Sequence, residues 1–158
     1  MSDFAADGLD GTMIEVAAHR LPDGRIVRET LWGRESGTAL QLLKSPLVAQ
    51  GVAVGDQFEV DPEDGSVRVL RRSGNLCVQL FMRPELSADV FDTLAAEVRL
   101  LGGALDAHTA TIAGFWVPAS AGFPRVEKTF ADFVDHHPGS TWMFTNVYGT
   151  DGEPLNWW

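Results

Sequence analysis

The spacing of apolar residues changes once along the chain, and this change constrains the fold more than any other feature of the sequence. Up to about residue 72, apolar side chains partly alternate with polar ones in short runs separated by Gly, Pro and Asp, the pattern of β-strands. After residue 76, two segments carry apolar residues three and four positions apart, the spacing of amphipathic helices. The sequence therefore predicts an α+β protein with a β-rich first half.

The first half contains five segments with strand character. They are residues 13–19, 25–32, 39–43, 57–60 and 67–70. Two of the gaps between them carry Pro, Asp and Gly, which are typical of hairpin turns. Short strands with frequent turns favour a curled antiparallel sheet, because closure hides strand edges. We expect a small antiparallel β-barrel-like unit over residues 13–73, preceded by a flexible tail over residues 1–12.

The second half is predicted to follow the order strand, helix, one or two strands, helix, strand. The first helix begins after Ser87, and Pro124 suits the first turn of the second. Their apolar stripes are Val90, Leu94, Val98 and Leu101, and Val126, Phe130, Phe133 and Val134. This order matches the split βαβ (βαββαβ) arrangement of ferredoxin-like domains if both middle strands form. We expect such a unit over residues 74–150, then a C-terminal tail over residues 151–158.

Two helices would cover only one face of the predicted four-stranded sheet. An apolar sheet face left in water is costly, so the other face must pack against something. The candidates are the β-rich first unit, which would make one body of the two halves, and a second copy of the chain, which would make a homodimer. We expect the two units to pack together.

The charge balance excludes some classes of partner. The chain carries 22 acidic and 12 basic residues, for a net charge of −10. A field of this sign repels nucleic acid and anionic membranes, so we expect neither as a partner. The acidity is explained either by solubility or by complementarity to a basic protein partner.

The single cysteine, Cys77, indicates a reducing compartment. It has no second cysteine with which to form an intramolecular disulfide, and the sequence shows neither a signal-peptide pattern nor an apolar run of membrane-spanning length. We therefore expect a cytoplasmic location. Because Cys77 lies inside a strand pattern, we expect it to act as a small apolar core residue rather than as a nucleophile.

Four short runs in the first half resemble a known family. They are Glu29-Thr30-Leu31-Trp32, Lys44-Ser45-Pro46-Leu47, Gln50-Gly51-Val52-Ala53-Val54-Gly55-Asp56 and Arg71-Arg72-Ser73-Gly74-Asn75. In this order the chain resembles the bacterial family known as domain of unknown function family 4265, whose members show E-x-L-W, a Pro-centred turn, G-V-x-x-G-D and S-G. The resemblance is best over residues 27 to about 80, and Leu47 stands where the family usually has an aromatic residue. It implies a shared fold and a bacterial origin, but no activity.

The densest basic patch is a candidate anion site. Its members are Arg68, Arg71 and Arg72, with Ser73 and Asn75 as further donors. Such donors suit a phosphate or carboxylate ligand. The alternative is that the arginines pair with the surplus carboxylates of the chain.

A second set of residues is a candidate surface for a protein partner. Trp157 and Trp158 end the sequence, and two exposed indoles are costly unless they dock on the protein itself or on a partner. Tryptophan is enriched among binding hot spots, which favours the partner hypothesis. Tyr148, Asp132 and Asp135 complete the set of candidates.

No catalytic, metal or cofactor motif is recognisable in the sequence. His136 and His137 are adjacent on a predicted helix and so point apart, and pairing Asp132 with His136 leaves a zinc site short of ligands. The sequence contains no nucleophile-elbow, phosphate-binding or zinc-protease motif. We expect no metal, no cofactor and no enzymatic activity.

Three functional hypotheses follow. The leading one is a non-catalytic protein-binding module, specifically an immunity protein that neutralises a bacterial toxin, such as one with a basic domain. The second is a sensor of small anions or metabolites that dimerises through its ferredoxin-like half and binds its ligand near Arg71 and Arg72. The third is an enzyme with a dispersed site, for which Asp56, Asp132 and His136 are the first residues to mutate.

Overall fold

The structure is a computed structural model in which residues 11–83 and 86–158 are described. Within these ranges the chain forms two antiparallel sheets, of five and four strands, and two α-helices. The α+β class expected from the sequence is confirmed. The predicted flexible tail, residues 1–12, lies outside the described residues except for Gly11 and Thr12, and Thr12 already belongs to the first strand.

The first sheet is a five-stranded meander. Its strands are β1 (Thr12–Arg20), β2 (Ile26–Ser36), β3 (Ala39–Leu42), β4 (Gln57–Val60) and β5 (Val67–Arg71), paired in chain order. The two edge strands approach each other where the Ala17 N–H donates to the Gly65 carbonyl at 2.8 Å. Among the described residues no ladder joins β1 to β5, so the predicted barrel-like unit is an open sheet rather than a closed barrel.

The β3–β4 loop, residues 43–56, completes the core of this first half. The buried apolar cluster contains strand residues and two loop residues, and comprises Val16, Leu31, Leu42, Phe58, Ala49 and Val52. The Glu29 carboxylate on β2 holds the loop in place, because it accepts the N–H groups of Leu47, Val48 and Ala49 at 2.6, 3.1 and 2.7 Å. One side chain thus satisfies three successive loop amides that would otherwise need water.

The second half alternates strands and helices. Its elements are β6 (Asn75–Phe81), α1 (Ala88–Leu100), β7 (Ala104–His108), β8 (Ile112–Pro118), α2 (Phe123–His136) and β9 (Thr141–Phe144). The strands pair antiparallel in the order β7-β8-β6-β9. Pro124 lies in the first turn of α2, as predicted, and Ser87 is the N-cap of α1 although its side chain makes no capping hydrogen bond.

Both predicted helix stripes lie in the core. Leu94 and Val98 of α1 and Val126 and Phe130 of α2 are almost fully buried. They pack on the strand residues of the same cluster, among them Leu76, Val78, Leu80, Phe115 and Val117. The three-four spacing of apolar residues therefore gave the correct buried face of each helix.

The other face of this sheet packs against the first half, mainly through the β3–β4 loop. Gln79 on β6 is buried and donates to the Ala49 carbonyl at 3.2 Å, while the Gly51 N–H donates to the Thr145 carbonyl at 2.7 Å. Gly114 on β8 permits a close approach, because a Cβ there would lie 2.9 Å from the Pro46 carbonyl oxygen. Of the two expected ways to cover this face, the structure has the first half of the same chain.

A buried carboxyl group lies in the same seam. Asp106 on β7 accepts the Ser45 N–H at 2.9 Å through Oδ2, whereas its Oδ1 and the Ser45 hydroxyl are buried without a hydrogen-bond partner among the described residues. Burial raises the pKa of Asp106 to about 6, against the opposing effects of Ser45 and of the Lys44 ammonium.

The last strand is shorter than predicted, because one side chain makes hydrogen bonds to β6 that the backbone of a longer strand would have made. We expected a strand over residues 141–148, but β9 ends at Phe144. Asn146, which is fully buried, accepts the Cys77 N–H at 2.9 Å and donates to the Asn75 carbonyl at 2.9 Å. Its carboxamide therefore takes the hydrogen bonds on β6 that a continuing strand would have made.

Candidate binding groove

An open groove of about 610 Å³ lies where the two halves join. Its walls include residues from the β5–β6 link, the start of α2 and the end of the chain: Arg72, Ser73, Asn75, Phe123, Trp157 and Trp158. The structure thus brings together three members of the predicted anion set and two of the predicted partner-binding set. No pattern in the sequence indicated that these two sets would meet.

The tryptophan wall of the groove is docked on the protein and still partly exposed. Trp157 is half-buried and donates its indole N–H to the Asn146 carbonyl at 2.7 Å. Trp158 packs edge-on against Phe123 and Trp157, with ring centroids 5.1 and 5.6 Å away, but keeps 47% of its surface exposed. The tail therefore docks on its own chain and leaves one indole partly exposed, and docking of that indole on a partner stays a prediction.

Aromatic contacts continue from the groove into the core. Successive ring centroids lie 5.1–6.3 Å apart along the series Trp158, Phe123, Phe144, Trp142, Phe130, Phe115 and Phe91. Rings at these distances pack in the tilted and offset arrangements that aromatic side chains prefer. The exposed indole is therefore supported by the packed interior of the second half.

Arg72 is fixed at the floor of the groove. Its Nη1 donates to the Gly51 carbonyl at 2.6 Å and lies 3.5 Å from Oδ2 of Asp56, while its guanidinium carbon lies 5.7 Å from the centroid of the Trp157 ring. Asp56 is fully buried and also accepts the N–H of Ser73 at 2.8 Å. The buried carboxylate offsets much of the positive charge that Arg72 brings to the groove.

Two of the other predicted anion donors, Ser73 and Asn75, are engaged inside the protein. The Ser73 hydroxyl and the Asn75 carboxamide both donate to the Val54 carbonyl, at 2.8 and 2.9 Å. Arg68 forms an ion pair with Glu59, and Arg71 lies exposed on β5. The arginines do not converge on one point, and two of the three pair with carboxylates. Anion binding at this cluster stays a prediction with few uncommitted donors to support it.

The remaining partner-binding candidates lie outside the groove walls. Tyr148 is 56% exposed in the turn that precedes the tail, where it forms a β-bridge with Pro154. Asp132 and Asp135 are exposed toward the C-terminal end of α2, and Asp132 pairs with Lys128 at 2.8 Å. Phe123 and Trp158 meet at the opposite end of that helix.

The two groups whose pKa values are raised by burial, Cys77 and Asp106, are not among the residues that line the groove. Burial raises the pKa of Cys77 to about 12, and this thiol lies in the core as expected.

His136 Nδ1 lies 2.7 Å from the backbone carbonyl of Asp132, whose carboxylate faces Lys128. In the described ranges no three His, Cys, Asp or Glu side chains are grouped to hold a metal ion.

The three residues proposed for a dispersed enzyme site lie on two separate elements, the β3–β4 loop and α2. Asp56 ends the β3–β4 loop and its carboxylate accepts hydrogen bonds from backbone amides, whereas Asp132 and His136 are exposed on α2.

Neither helix in the described part of the chain is long and apolar enough to span a membrane.

Sequence reasoning missed several residues that build the groove. Phe123 was not selected because it precedes Pro124 and stands outside the stripe of α2. Asn146, which anchors Trp157, left a weak signal, because asparagine is unfavourable within a strand and so marked the predicted last strand as irregular.

Comparisons with known proteins place the chain in a family. The structure is similar to one described as a novel crystal structure of a hypothetical protein from Neisseria gonorrhoeae, with a TM-score of 0.65 and 13% identity over 85% of this chain and 94% of that one. At this identity the similarity concerns the fold alone. No curated protein matches the chain. The family model described as domain of unknown function (DUF4265) matches residues 29–141, well beyond the region where the resemblance is best, and the chain belongs to this family.

Proposed function

We propose that this protein is a non-catalytic protein-binding module whose partner places an apolar segment in the groove beside Trp158. The observation that carries this proposal is the half-exposed Trp158 ring, held against Phe123 and Trp157 at the edge of a groove of about 610 Å³. Tryptophan side chains in such positions contribute a large share of binding energy at protein interfaces.

The construction of the groove favours a protein segment over a small metabolite. The groove is open to solvent, whereas sites for small ligands usually enclose most of the ligand surface. Its walls are already fixed, because Trp157 is bonded to Asn146 and Arg72 is held by Gly51 and Asp56. A preformed wall loses little conformational entropy when a partner binds.

The specific form that we propose is a bacterial immunity protein that neutralises a toxin in the cytoplasm. The net charge of −10 suits a toxin with a basic surface, and the buried, reduced Cys77 suits that compartment. We also infer that the four-stranded half is a ferredoxin-like unit, since its strand order of β7-β8-β6-β9 with two helices is the order of the split βαβ arrangement.

The test compares two alanine substitutions in the same C-terminal segment. Trp158→Ala removes the exposed indole, and Leu155→Ala removes a side chain that is 40% exposed on the same segment but outside the groove. Partners captured from the bacterial host by the wild-type chain are identified, and their dissociation constants for the three proteins are measured by calorimetry. We expect binding to weaken about 30-fold or more for Trp158→Ala, a loss of at least about 2 kcal/mol, and little for Leu155→Ala.

A specific partner whose affinity is the same for both variants would place the interface elsewhere and refute the role of the groove. For the immunity proposal, the chain is co-expressed with toxins encoded beside its gene. Protection that Trp158→Ala abolishes supports it, and no protection against any of them contradicts it. The sensor hypothesis predicts instead that a metabolite stabilises the fold, by about 2.7 kcal/mol at a hundredfold excess over its dissociation constant.

A further inference from the structure

A row of four polar side chains, none of which lines the groove, crosses the outer face of the first sheet. Cross-strand pairing aligns Arg34 on β2 with Gln41 on β3, Gln41 with Gln57 on β4, and Gln57 with Arg71 on β5. The neighbouring residues Leu42 and Phe58 point into the core. Because side chains alternate along a strand, Gln41 and Gln57 lie on the opposite, outer face. Arg34 and Arg71 are aligned with them, Arg71 through a register shift between Gln57 and Phe58, and we call the four residues the Arg–Gln row.

The two ends of the row are cationic. Adjacent strands lie about 4.8 Å apart, so three steps separate the backbones of Arg34 and Arg71 by about 14 Å. Arg71 is exposed, and the buried Nε of Arg34 has no hydrogen-bond partner among the described residues. Glu59, the next residue on the outer face of β4, is already engaged by Arg68 and does not neutralise the row.

The middle of the row offers hydrogen-bond acceptors. The amide nitrogen of Gln57 donates to the Ser36 hydroxyl at 3.3 Å, and that of Gln41 to the Gly55 carbonyl at 3.5 Å. Both carboxamides thus direct their nitrogens to the protein, which leaves their oxygens to accept hydrogen bonds. Acceptors between two cations suit the N–H groups of a peptide backbone and disfavour a continuous line of phosphates.

The charge of the chain is unevenly distributed, which makes an acidic ligand possible on an acidic protein. Residues 76–158 contain ten acidic and four basic residues, whereas residues 11–75 contain nine acidic and eight basic ones. Two of those nine acids, Glu29 and Asp56, are committed to internal hydrogen bonds. The surface formed by residues 11–75 is therefore far less negative than the whole molecule.

We propose that the Arg–Gln row binds an acidic, extended segment of a protein partner. Two carboxylates of the segment lie on Arg34 and Arg71, and backbone N–H groups between them donate to Gln41 and Gln57. An extended peptide rises about 3.4 Å per residue, so carboxylates four residues apart match the span of the row. None of the four side chains lines the groove at Trp158, so this surface adds a second contact.

The first test measures the binding of a fluorescein-labelled octaglutamate peptide by fluorescence anisotropy at low ionic strength. We expect Arg34→Ala and Arg71→Ala each to weaken binding about threefold to tenfold, because each removes one charge-assisted contact at a partly exposed site. The matched control is Arg25→Ala, an exposed arginine that pairs with Asp23 in the β1–β2 turn. Trp158→Ala should leave this binding unchanged.

No binding of the peptide by the wild-type chain, or an equal loss with Arg25→Ala, overturns the proposal. Arg71 is exposed, so its variant carries the test even if Arg34→Ala fails to fold. A second experiment compares two serine peptides as competitors, and the one with two glutamates four residues apart should compete better than the one with adjacent glutamates. Preference for a single-stranded oligothymidylate over octaglutamate would assign the row to nucleic acid and refute the acidic segment.

Discussion

Replacing Asp106 by Asn should stabilise the protein at neutral pH and remove part of the pH dependence of its stability. The Asp106 carboxyl is buried in the seam between the halves, where it accepts one N–H from Ser45 and leaves Oδ1 without a partner among the described residues. An asparagine of the same shape keeps the acceptor for Ser45 and can offer its amide nitrogen to the buried Ser45 hydroxyl. It carries no charge at any pH.

The magnitude follows from the pKa. Burial raises the pKa of Asp106 from 3.8 to about 6, and each unit corresponds to about 1.36 kcal/mol, so ionisation costs the folded state roughly 3 kcal/mol. Between pH 4 and 6 the folded chain binds more protons at this group than the unfolded chain does. The contribution of Asp106 is therefore most favourable below pH 4, and the free energy of unfolding falls as the pH rises through 6.

Thermal unfolding of the wild type and Asp106→Asn at several pH values between 4 and 8 checks this reasoning. For a chain of this size, roughly 3 kcal/mol corresponds to about 6–12 °C in Tm, so the variant should gain that much at pH 7.5 and little at pH 4. Asp92→Asn, an exposed change of the same charge, serves as the control. A loss of stability at neutral pH would show that Lys44 compensates the carboxylate fully, and a pH-independent difference would exclude titration as the cause.

Three further predictions concern packing and hydrogen bonding. Asn146→Ala leaves the Cys77 N–H and the Asn75 carbonyl without their partners, and should lower the free energy of unfolding by about 2–4 kcal/mol in a urea titration; a change below about 0.5 kcal/mol would mean that water replaces the carboxamide. Gly114→Ala places a Cβ 2.9 Å from the Pro46 carbonyl oxygen, and should lower the free energy of unfolding by about 1–3 kcal/mol in the same titration. No change in that free energy would show that the β3–β4 loop moves aside to accommodate the methyl group. The Cys77 thiol, fully buried and with its pKa raised to about 12, should react with a thiol reagent only as fast as the chain unfolds, and rapid reaction in native buffer would contradict its burial.

Apolar periodicity predicted much of the fold because periodicity reports burial directly. The stripe of α2 and the alternation along β6 each reflect a face that packs against one neighbouring layer, so spacing alone identifies that face. Asn146 escaped prediction because its role depends on the backbone of β6, about 70 residues earlier, and no local pattern carries that information. Closure of the first sheet into a barrel also depends on whether its two edge strands, which are distant in sequence, pair with each other. Local patterns do not report this pairing, which is why closure of the sheet was overestimated.

The candidate site was predicted in parts but not as an assembly. Composition indicated that Trp157 and Trp158 were unusual, and charge density indicated Arg72. Their meeting in one groove depends on the return of the chain end to the β5–β6 link, which is a tertiary event. The grouping of Arg71 with Arg68 and Arg72 was based on sequence proximity, whereas strand register aligns Arg71 with Arg34.

The neighbouring indoles at the groove have an optical consequence. Trp157 and Trp158 lie with centroids 5.6 Å apart at an angle of 84°, close enough for their electronic transitions to couple. Such a pair gives a near-ultraviolet circular dichroism band that depends on its geometry, and any molecule that displaces Trp158 alters that band. The protein therefore carries its own label-free reporter of groove occupancy, which Trp158→Ala should abolish.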